Sequence, residues 1–242
     1  MAEWFASVKA EFELNFIKAD RWEYLVTGLG NTLLLTLVAL IVGVLIGIVV
    51  AAVRSTYDKT AETARPSFGR RVFGFFNGLC KVYLTVVRGT PVVVQVMIFF
   101  YVIFATAKDG TMVAALAFGI NSGAYVAEII RGGIMSIDNG QFEAGRSLGF
   151  NYLQTMRYII VPQTIKNVLP SLMNEFIALL KETPVAGYVA VQDLTKAGDI
   201  IRSRTYSAFM PLIAVALIYL IVVMFFTWLV GKLERRLRNS EH

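Results

Sequence analysis

Glu128, Lys181 and Glu182 are ionisable side chains inside segments that are mostly apolar. An ionisable group inside a membrane or a core is costly, so it needs an opposite charge or a water-filled space. One cationic and two anionic groups offer partners for the carboxylate and the ammonium of a small zwitterion. These residues therefore predict a pathway for a charged or zwitterionic solute.

Two prolines mark where the helices beside these residues would begin or bend, Pro91 and Pro184. Proline kinks helices and frees backbone carbonyls, and the dipoles of a broken helix can hold the charged ends of a solute. Gln95 follows the first proline and could meet the three charges across a helical bundle. The alternative is structural: Glu128 with Arg131, or Lys181 with a neighbouring acid, would form an ordinary ion pair.

A second candidate site is the polar string at 141–162, which reads QFEAGRSLGFNYLQTMRYIIVP. It predicts a short helix that ends at Gly149, because glycine adopts the positive φ of a helix end. Phe142, Leu148 and Phe150 would give this knob an apolar body for a partner groove, with Glu143 and Arg146 pairing at the rim. The competing interpretation is an ordinary solvated loop between two helices.

Several kinds of chemistry are excluded by residue usage. Cys80 is the single cysteine and His242, the last residue, is the single histidine. Neither an intrachain disulfide nor a cysteine and histidine metal site nor a Ser-His-Asp triad can be built from them. The chain also has no phosphate-binding loop of the G-x-x-x-x-G-K-[ST] type. We therefore expect no catalytic residue, no metal and no cofactor on this chain, and if ATP drives its function, another polypeptide must bind the ATP and Mg²⁺.

The elements that must position these residues are membrane helices. Mean hydropathy is +0.62, and only 17% of residues are charged, against about 25% in soluble domains. Four stretches lack charge altogether, at 24–53, 89–107, 110–127 and 205–231, and each is near or above the ~20 residues that a helix needs to cross the hydrocarbon core. They predict spans at 29–53, 92–106, 111–135 and 207–230, of which the third continues past Glu128 and Arg131, with a linker at 55–67.

A fifth span is predicted at 167–190 although it carries Glu175, Lys181 and Glu182. Its remaining residues are strongly apolar at helical spacing. A soluble helix here would leave its hydrophobic neighbours joined through water. The fold class is therefore an all-α integral membrane protein with five transmembrane helices.

Counting Lys and Arg gives the orientation. With the polar string inside, fifteen basic residues fall in inner segments and seven in outer ones. Cytoplasmic loops carry the excess of positive charge, so we expect an external N-terminus and a cytoplasmic C-terminus. Anionic lipid accounts for the net charge of +6, and no nucleic-acid partner is expected.

The N-terminus shows no cleavable signal pattern. Trp4, Val8, Phe12 and Phe16 recur every four residues, which predicts an amphipathic helix. It would lie in the outer membrane interface or pack against a partner subunit. The expected division is an external segment at 1–21, a transmembrane domain at 22–238 with the docking loop at about 138–166, and a cytoplasmic tail at 239–242.

The polar string resembles the EAA loop of permease subunits of ATP-binding cassette (ABC) importers. Glu143, Ala144 and Gly145 precede Gly149, and Pro162 closes the pattern, with Gly145 in place of the usual second alanine. Further strings are similar to the polar amino-acid subgroup of these permeases. They are RGTPVVVQ at 88–95, AYVAEIIRGGI at 124–134, MRY at 156–158, NEFIALLKET at 174–183 and LERR at 233–236.

The resemblance implies a type I importer permease fold and transport by alternating access in the bacterial cytoplasmic (inner) membrane. It implies three kinds of partner: a second permease, identical or homologous, two ABC ATPases, and an extracytoplasmic amino-acid-binding protein. ATPase-coupling residues would be Glu143, Ala144, Gly145, Arg146, Gly149 and Pro162. Substrate-pathway residues would be Thr90, Gln95, Glu128, Lys181, Glu182 and Thr183.

The cargo implied by this subgroup is glutamine, glutamate, aspartate or a basic amino acid. An ABC permease for another small solute, such as an organic ion or a methionine-like substrate, is the alternative within the class. A channel or an ion-driven secondary transporter is an alternative from another class, but it has no reason to present an ATPase-docking loop. A membrane scaffold without transport would not need charged, kinked interior helices.

Overall fold

The computed structural model describes residues 1–60 and 67–238. Within these ranges the chain is helical and contains no strand. The predicted tail at 239–242 and residues 61–66 of the predicted linker at 55–67 lie outside the described residues. The prediction of a linker from residue 55 onward was wrong for its first part, because the helix of the first span continues without interruption to Lys59.

Ten α-helices follow one another in the described chain, some of them joined by π or 3₁₀ turns. Their bounds are α1 Ala2–Phe12, α2 Trp22–Lys59, α3 Phe68–Gly89, α4 Val92–Ile98, α5 Gly110–Met135, α6 Asn139–Ser147, α7 Tyr152–Thr155, α8 Val161–Glu182, α9 Leu194–Thr205 and α10 Phe209–Arg238. π-Helical segments follow α1 (Glu13–Ile17), α4 (Phe99–Ile103) and α7 (Met156–Ile160), and a 3₁₀ segment follows α8 (Thr183–Val189).

The helices fall into two compact units. The first is built from Met1–Ala39, Val92–Ala117 and Ile177–Leu229. Its core joins residues of the N-terminal segment, α2, α9 and α10, namely Phe16, Leu25, Leu194, Ala197, Ile201 and Val215. Gly28 lies so close to α9 that a Cβ atom there would come within 2.8 Å of the Ala197 Cβ.

The second unit comprises the described parts of Leu40–Pro91, Phe118–Phe176 and the segment that begins at Val230. One of its cores consists of Val50, Leu84, Ala124 and Ala127. Gly47 faces α5, where a Cβ atom would lie 2.5 Å from a methyl carbon of Val126. The small-residue spacing of Gly43 and Gly47 therefore serves close helix packing.

Three described helices are long and apolar enough to cross a membrane: α2, α5 and α10. Counting the pair formed by Phe68–Gly89 and Val92–Ile103 as one broken span raises the number to four. Two predictions change in detail. The span at 92–106 is a short helix that begins after a break at Thr90 and Pro91. Helix α8 forms where the fifth span was expected, but its polar residues lower its hydropathy, so its membrane crossing stays a prediction.

The N-terminal helix forms as predicted and is tied to its own chain. Asn15 is fully buried in the π-helical segment after α1. Its amide donates to the Ser207 hydroxyl at 3.3 Å and its Oδ1 accepts from the Thr205 hydroxyl at 2.8 Å. Phe16 enters the core of the first unit, whereas Trp4 and Phe12 are exposed. The predicted apolar face therefore divides between core packing and exposure.

Candidate functional site

The predicted docking knob is α6, a nine-residue helix with defined ends. Asp138 caps its start, accepting a hydrogen bond from the Gly140 amide at 2.6 Å. At its other end Gly149 has a φ of +81°. The Phe150 amide donates to the Gly145 carbonyl at 3.0 Å and the Gly149 amide to that of Arg146 at 2.9 Å, a Schellman-type ending. The short helix and its glycine stop are confirmed.

The inner face of α6 is held by Phe142. Its ring is 7% exposed and packs with Ile134, Ile137 and Ile160. The prediction that Phe142 offers its ring to a partner groove was therefore wrong, because the phenyl group is used to fix α6 onto its own chain. Leu148 is 72% exposed and supplies the apolar surface that a partner can reach.

Gly145 explains one departure from the EAA pattern. It is buried where α6 faces α7 and the π turn that follows. A Cβ atom there would lie 2.8 Å from both Cγ2 and Oγ1 of Thr155 and 3.2 Å from Ile159. Thr155 is itself buried, and its hydroxyl donates to the Asn151 carbonyl at 3.1 Å. The alanine of the family pattern does not fit beside this threonine.

The remaining predicted coupling residues lie on the accessible side. Glu143, Ala144 and Arg146 are exposed on α6. Pro162 is exposed near the start of α8, directly after the π turn Met156–Ile160. Since proline lacks an amide hydrogen, the altered hydrogen-bond spacing at a π turn accommodates it where a regular α-helix would lose a bond. The structure brings four of the six coupling residues onto α6, with Gly149 just beyond its end.

A cavity of about 620 Å³ lies beside α6. Lys59, at the end of α2, donates to the Asn139 side chain at 2.7 Å and stands 4.7 Å from the centre of the Phe142 ring. Asp58, Glu143 and Arg146 also line the cavity. Sequence reasoning missed Lys59 because it treated the end of α2 as a linker. The signal available was the absence of Gly and Pro between Gly47 and Pro66, because no residue there is expected to end the helix.

Glu128 is half-buried on α5 and already has a cationic partner. Its carboxylate accepts from Arg131 at 3.2 Å, and the same guanidinium approaches Asp58 at 3.7 Å. The alternative predicted from sequence, an ion pair between Glu128 and Arg131, is therefore the geometry observed. A second carboxylate in this unit, Glu175, accepts from the Ser122 hydroxyl at 2.8 Å. Glu175 lies in the predicted fifth span but is not among the predicted pathway residues.

Lys181 and Glu182 close α8 with exposed side chains. No ion pair of Lys181 occurs among the residues that the structure describes. Thr183 begins the 3₁₀ segment and is buried, with its hydroxyl donating to the Leu180 carbonyl at 2.9 Å. These three predicted pathway residues belong to the first unit, as does Gln95, which is half-buried on α4.

Thr90 lies at the break between α3 and α4, where its hydroxyl donates to the Val86 carbonyl at 2.9 Å. It belongs to the second unit with Glu128, so the predicted pathway residues are divided between the two units. In the described part of the chain no group of three or more His, Cys, Asp or Glu side chains is placed to hold a metal ion.

The model of one protein family, described as the binding-protein-dependent transport system inner membrane component, matches residues 43–239. The chain belongs to this family. The resemblance drawn from the EAA-like string is confirmed, and the family description makes the chain a component of the inner membrane and of a transport system rather than an enzyme. It also implies that this permease works with a binding protein.

Individual relatives of this permease agree with the family. The putative glutamine transport system permease protein GlnP of Rickettsia bellii is 37% identical over 181 residues, covering 69% of this chain and 83% of the relative. The glutamine transport system permease protein GlnP of Escherichia coli K12 is 37% identical over 174 residues, covering 69% and 80%.

Solved structures show the same fold. An amino acid ABC transporter crystallised with histidines superposes with a TM-score of 0.78 at 38% identity, covering 91% of this permease and 98% of that chain. The MetNI methionine ABC transporter, in an inward-facing conformation, superposes with a TM-score of 0.71 at 19% identity, covering 89% and 97%. The all-helical importer permease fold is therefore shown.

Proposed function

We propose that this permease carries a polar amino acid inward by alternating access, driven by ABC ATPases that dock on α6. The observation that carries the proposal is the construction of α6. Phe142 anchors it, while Glu143, Ala144, Arg146 and Leu148 face outward from the chain. The buried ring of Phe142 holds α6 on its own chain, and the charged and apolar outer face is left to bind a partner.

The proposed cargo is glutamine, glutamate, aspartate or a basic amino acid. Two relatives at 37% identity are named as glutamine permeases, and the structural neighbour at 38% identity was crystallised with histidines. The likeness to the methionine transporter, at 19% identity, supports the fold and no cargo. A methionine-like substrate is tested in the same experiment as the polar amino acids.

Lys181 is the proposed contact for the substrate carboxylate, with Glu182, Thr183, Thr90 and Gln95 along the same pathway. Its ammonium group is exposed at the end of α8, directly before the 3₁₀ turn that contains Pro184. Glu128 is the weaker candidate for the substrate ammonium, because Arg131 already neutralises its carboxylate.

The proposed assembly contains a second permease subunit, identical or homologous, two ATPases that bind ATP and Mg²⁺, and an extracytoplasmic binding protein. Membrane lipid surrounds it, and the chain itself binds no cofactor. The N-terminus would lie outside and the C-terminus in the cytoplasm, since fifteen Lys and Arg residues fall in the proposed inner segments and seven in the outer ones.

The decisive experiment is to purify the permease with its ATPase and measure ATP hydrolysis in proteoliposomes with the binding protein present. The panel is L-glutamine, L-glutamate, L-aspartate, L-arginine, L-histidine and L-methionine. We expect stimulation by one or more of the polar amino acids. Stimulation by L-methionine alone would contradict the proposed cargo, and transport without any ATPase would contradict the proposed mechanism.

The pathway is tested with Lys181→Met in the same assay. Loss of a charge-assisted contact costs about 1.5–3 kcal/mol, which corresponds to an affinity roughly ten- to a hundredfold lower. Lys108→Met is the matched control, because Lys108 is an exposed lysine in the loop before α5. An unchanged concentration dependence in assembled Lys181→Met would place the solute elsewhere.

A further inference from the structure

A polar cluster, buried at Thr183 and Asp193 and half-buried at Thr195 and Tyr219, lies in the first unit, where the end of α8 meets α9 and α10. Its centre is the hydroxyl of Tyr219 on α10. That oxygen is 3.3 Å from the Thr183 hydroxyl, 3.4 Å from the Thr195 hydroxyl and 3.4 Å from Oδ2 of Asp193. One phenol therefore contacts three polar side chains from the two segments that follow the proposed substrate-binding end of α8.

Asp193 gives the cluster its rigidity. It is fully buried and caps α9, accepting from the Thr195 amide at 2.9 Å and the Lys196 amide at 3.0 Å. Within the described residues it forms no ion pair, since the Lys196 ammonium binds Asp199 at 3.3 Å instead. A buried carboxylate without a cation depends on its hydrogen-bond donors. The start of α9 and the Tyr219 hydroxyl supply them.

Thr183 connects this cluster to the solute pathway. It directly follows Lys181 and Glu182, and its hydroxyl lies 2.9 Å from the Leu180 carbonyl and 3.3 Å from the Tyr219 hydroxyl. Because Tyr219 donates its own proton to Asp193, its oxygen accepts at this contact, and the Thr183 proton is shared between the Leu180 carbonyl and the Tyr219 oxygen. The hydroxyl of Tyr219 thereby fixes the first residue of the 3₁₀ turn, and the turn fixes the backbone from which Lys181 projects.

We propose that Tyr219 is a positioning residue for substrate binding: its hydroxyl holds the turn after Lys181 against Asp193, so that the ammonium of Lys181 is presented in one place. This inference rests on the proposed function, in which Lys181 contacts the substrate carboxylate. Pre-ordering a binding group removes part of the entropy cost of binding, and this gain is expressed as affinity.

The test is Tyr219→Phe, which removes the hydroxyl and keeps the ring. Direct binding of each amino acid of the panel is measured on the assembled permease and ATPase complex isolated by size exclusion, with the binding protein omitted. The three contacts are long for hydrogen bonds between hydroxyl groups, so we expect the dissociation constant to rise only about two- to fivefold. Tyr206→Phe makes the same exchange at an exposed position and should leave binding unchanged.

Two further variants complete the test, Thr183→Val and its combination with Tyr219→Phe. Thr183→Val keeps the side-chain volume and removes the other hydroxyl of the contact, so it should raise the dissociation constant by a similar factor. Because both act through one contact, the double variant should be no weaker than the weaker single variant. Additive effects, or an unchanged constant in Tyr219→Phe, would refute the positioning role.

Lys181→Met separates this inference from the function on which it rests. If Lys181→Met weakens binding and Tyr219→Phe does not, the pathway stands and the role of Tyr219 fails. If Lys181→Met binds normally, the proposed pathway fails and takes the positioning role with it. Should Tyr219→Phe not assemble, Thr183→Val carries the same comparison, and normal binding there would overturn the inference.

Discussion

At Gly145 a single missing methyl group sets how closely α6 approaches the helix that follows it. The threonine it faces is buried, β-branched and hydrogen-bonded to its own backbone, so it cannot swing away freely. We expect Gly145→Ala to destabilise the protein by about 1–3 kcal/mol through overpacking. Thermal unfolding of the purified complex would show this as a lower midpoint.

A second substitution that removes the contacting atoms of Thr155 distinguishes overpacking from any other effect of the added methyl group. Thr155→Ala removes both atoms that would lie 2.8 Å from the new methyl carbon, so the double variant should regain most of the lost stability. Gly132→Ala is the control, since nothing lies within 4 Å of a Cβ atom there. A double variant as unstable as Gly145→Ala would contradict this account.

Position 149 requires glycine for a different reason, because few residues with a Cβ atom adopt its φ of +81°. A residue with a Cβ atom costs roughly 1–2 kcal/mol in the left-handed region, and β-branched residues tolerate it least. Gly149→Val should therefore distort the end of α6 and lower substrate-stimulated ATP hydrolysis, with membrane insertion intact.

Asparagine tolerates positive φ better than other residues with a Cβ atom, so Gly149→Asn should retain more coupling than Gly149→Val. Proteoliposome ATPase assays with matched amounts of inserted permease make the comparison. Equal and normal coupling in both variants would mean that the ending of α6 has no part in transmitting ATPase motion.

The inner face of α6 contributes to stability, and its outer face is the proposed docking surface for the ATPase. Phe142→Ala removes a ring that is buried among three isoleucines, and should cost about 3–5 kcal/mol. Leu148→Ala changes a side chain that is 72% exposed. It should leave the unfolding midpoint unchanged but weaken capture of the ATPase by the immobilised permease. The reverse pattern, with Phe142→Ala stable and Leu148→Ala fully binding, would contradict this division.

The sequence was sufficient for α6 itself and insufficient for its orientation. Gly149 marks the end of the helix by its own conformational freedom, which is a local property. The burial of Phe142 depends on Ile134, Ile137 and Ile160, which belong to other elements. A pattern of hydrophobic residues within one helix does not state which neighbour covers them. Leu148 and Phe142 therefore looked equivalent until the packing was known.

Helix α3 was missed for a related reason. Its 22 residues include Arg70, Arg71, Lys81 and Arg88, which interrupt every long apolar run. A search for charge-free stretches finds helices that are apolar all round and passes over amphipathic ones. The opposite case is 92–106, where the absence of charge predicted one span and the structure has a short helix starting at Val92.

For the whole molecule, the orientation in the membrane is predicted from the distribution of charge, and the fold does not test it. Helices α2, α5 and α10 are long and apolar enough to cross a membrane, but a helix is equally apolar in either direction. Orientation follows from the loops, where Lys and Arg favour the cytoplasmic side. The docking helix and α9 then fall on opposite sides, provided that α8 crosses the membrane between them.

Cysteine labelling tests this arrangement, and the chain is well suited to it because Cys80 is the single cysteine. In a Cys80→Ala background, Ser147→Cys at the exposed end of α6 and Ser203→Cys on the exposed surface of α9 each present one thiol. A membrane-impermeant maleimide added to intact cells should modify the cysteine at position 203 only. Inverted membrane vesicles should reverse the result, because the positive-inside bias puts α6 in the cytoplasm. Modification of both positions from the same side would mean that α8 does not cross the membrane between residues 147 and 203. That result would refute the five-span topology.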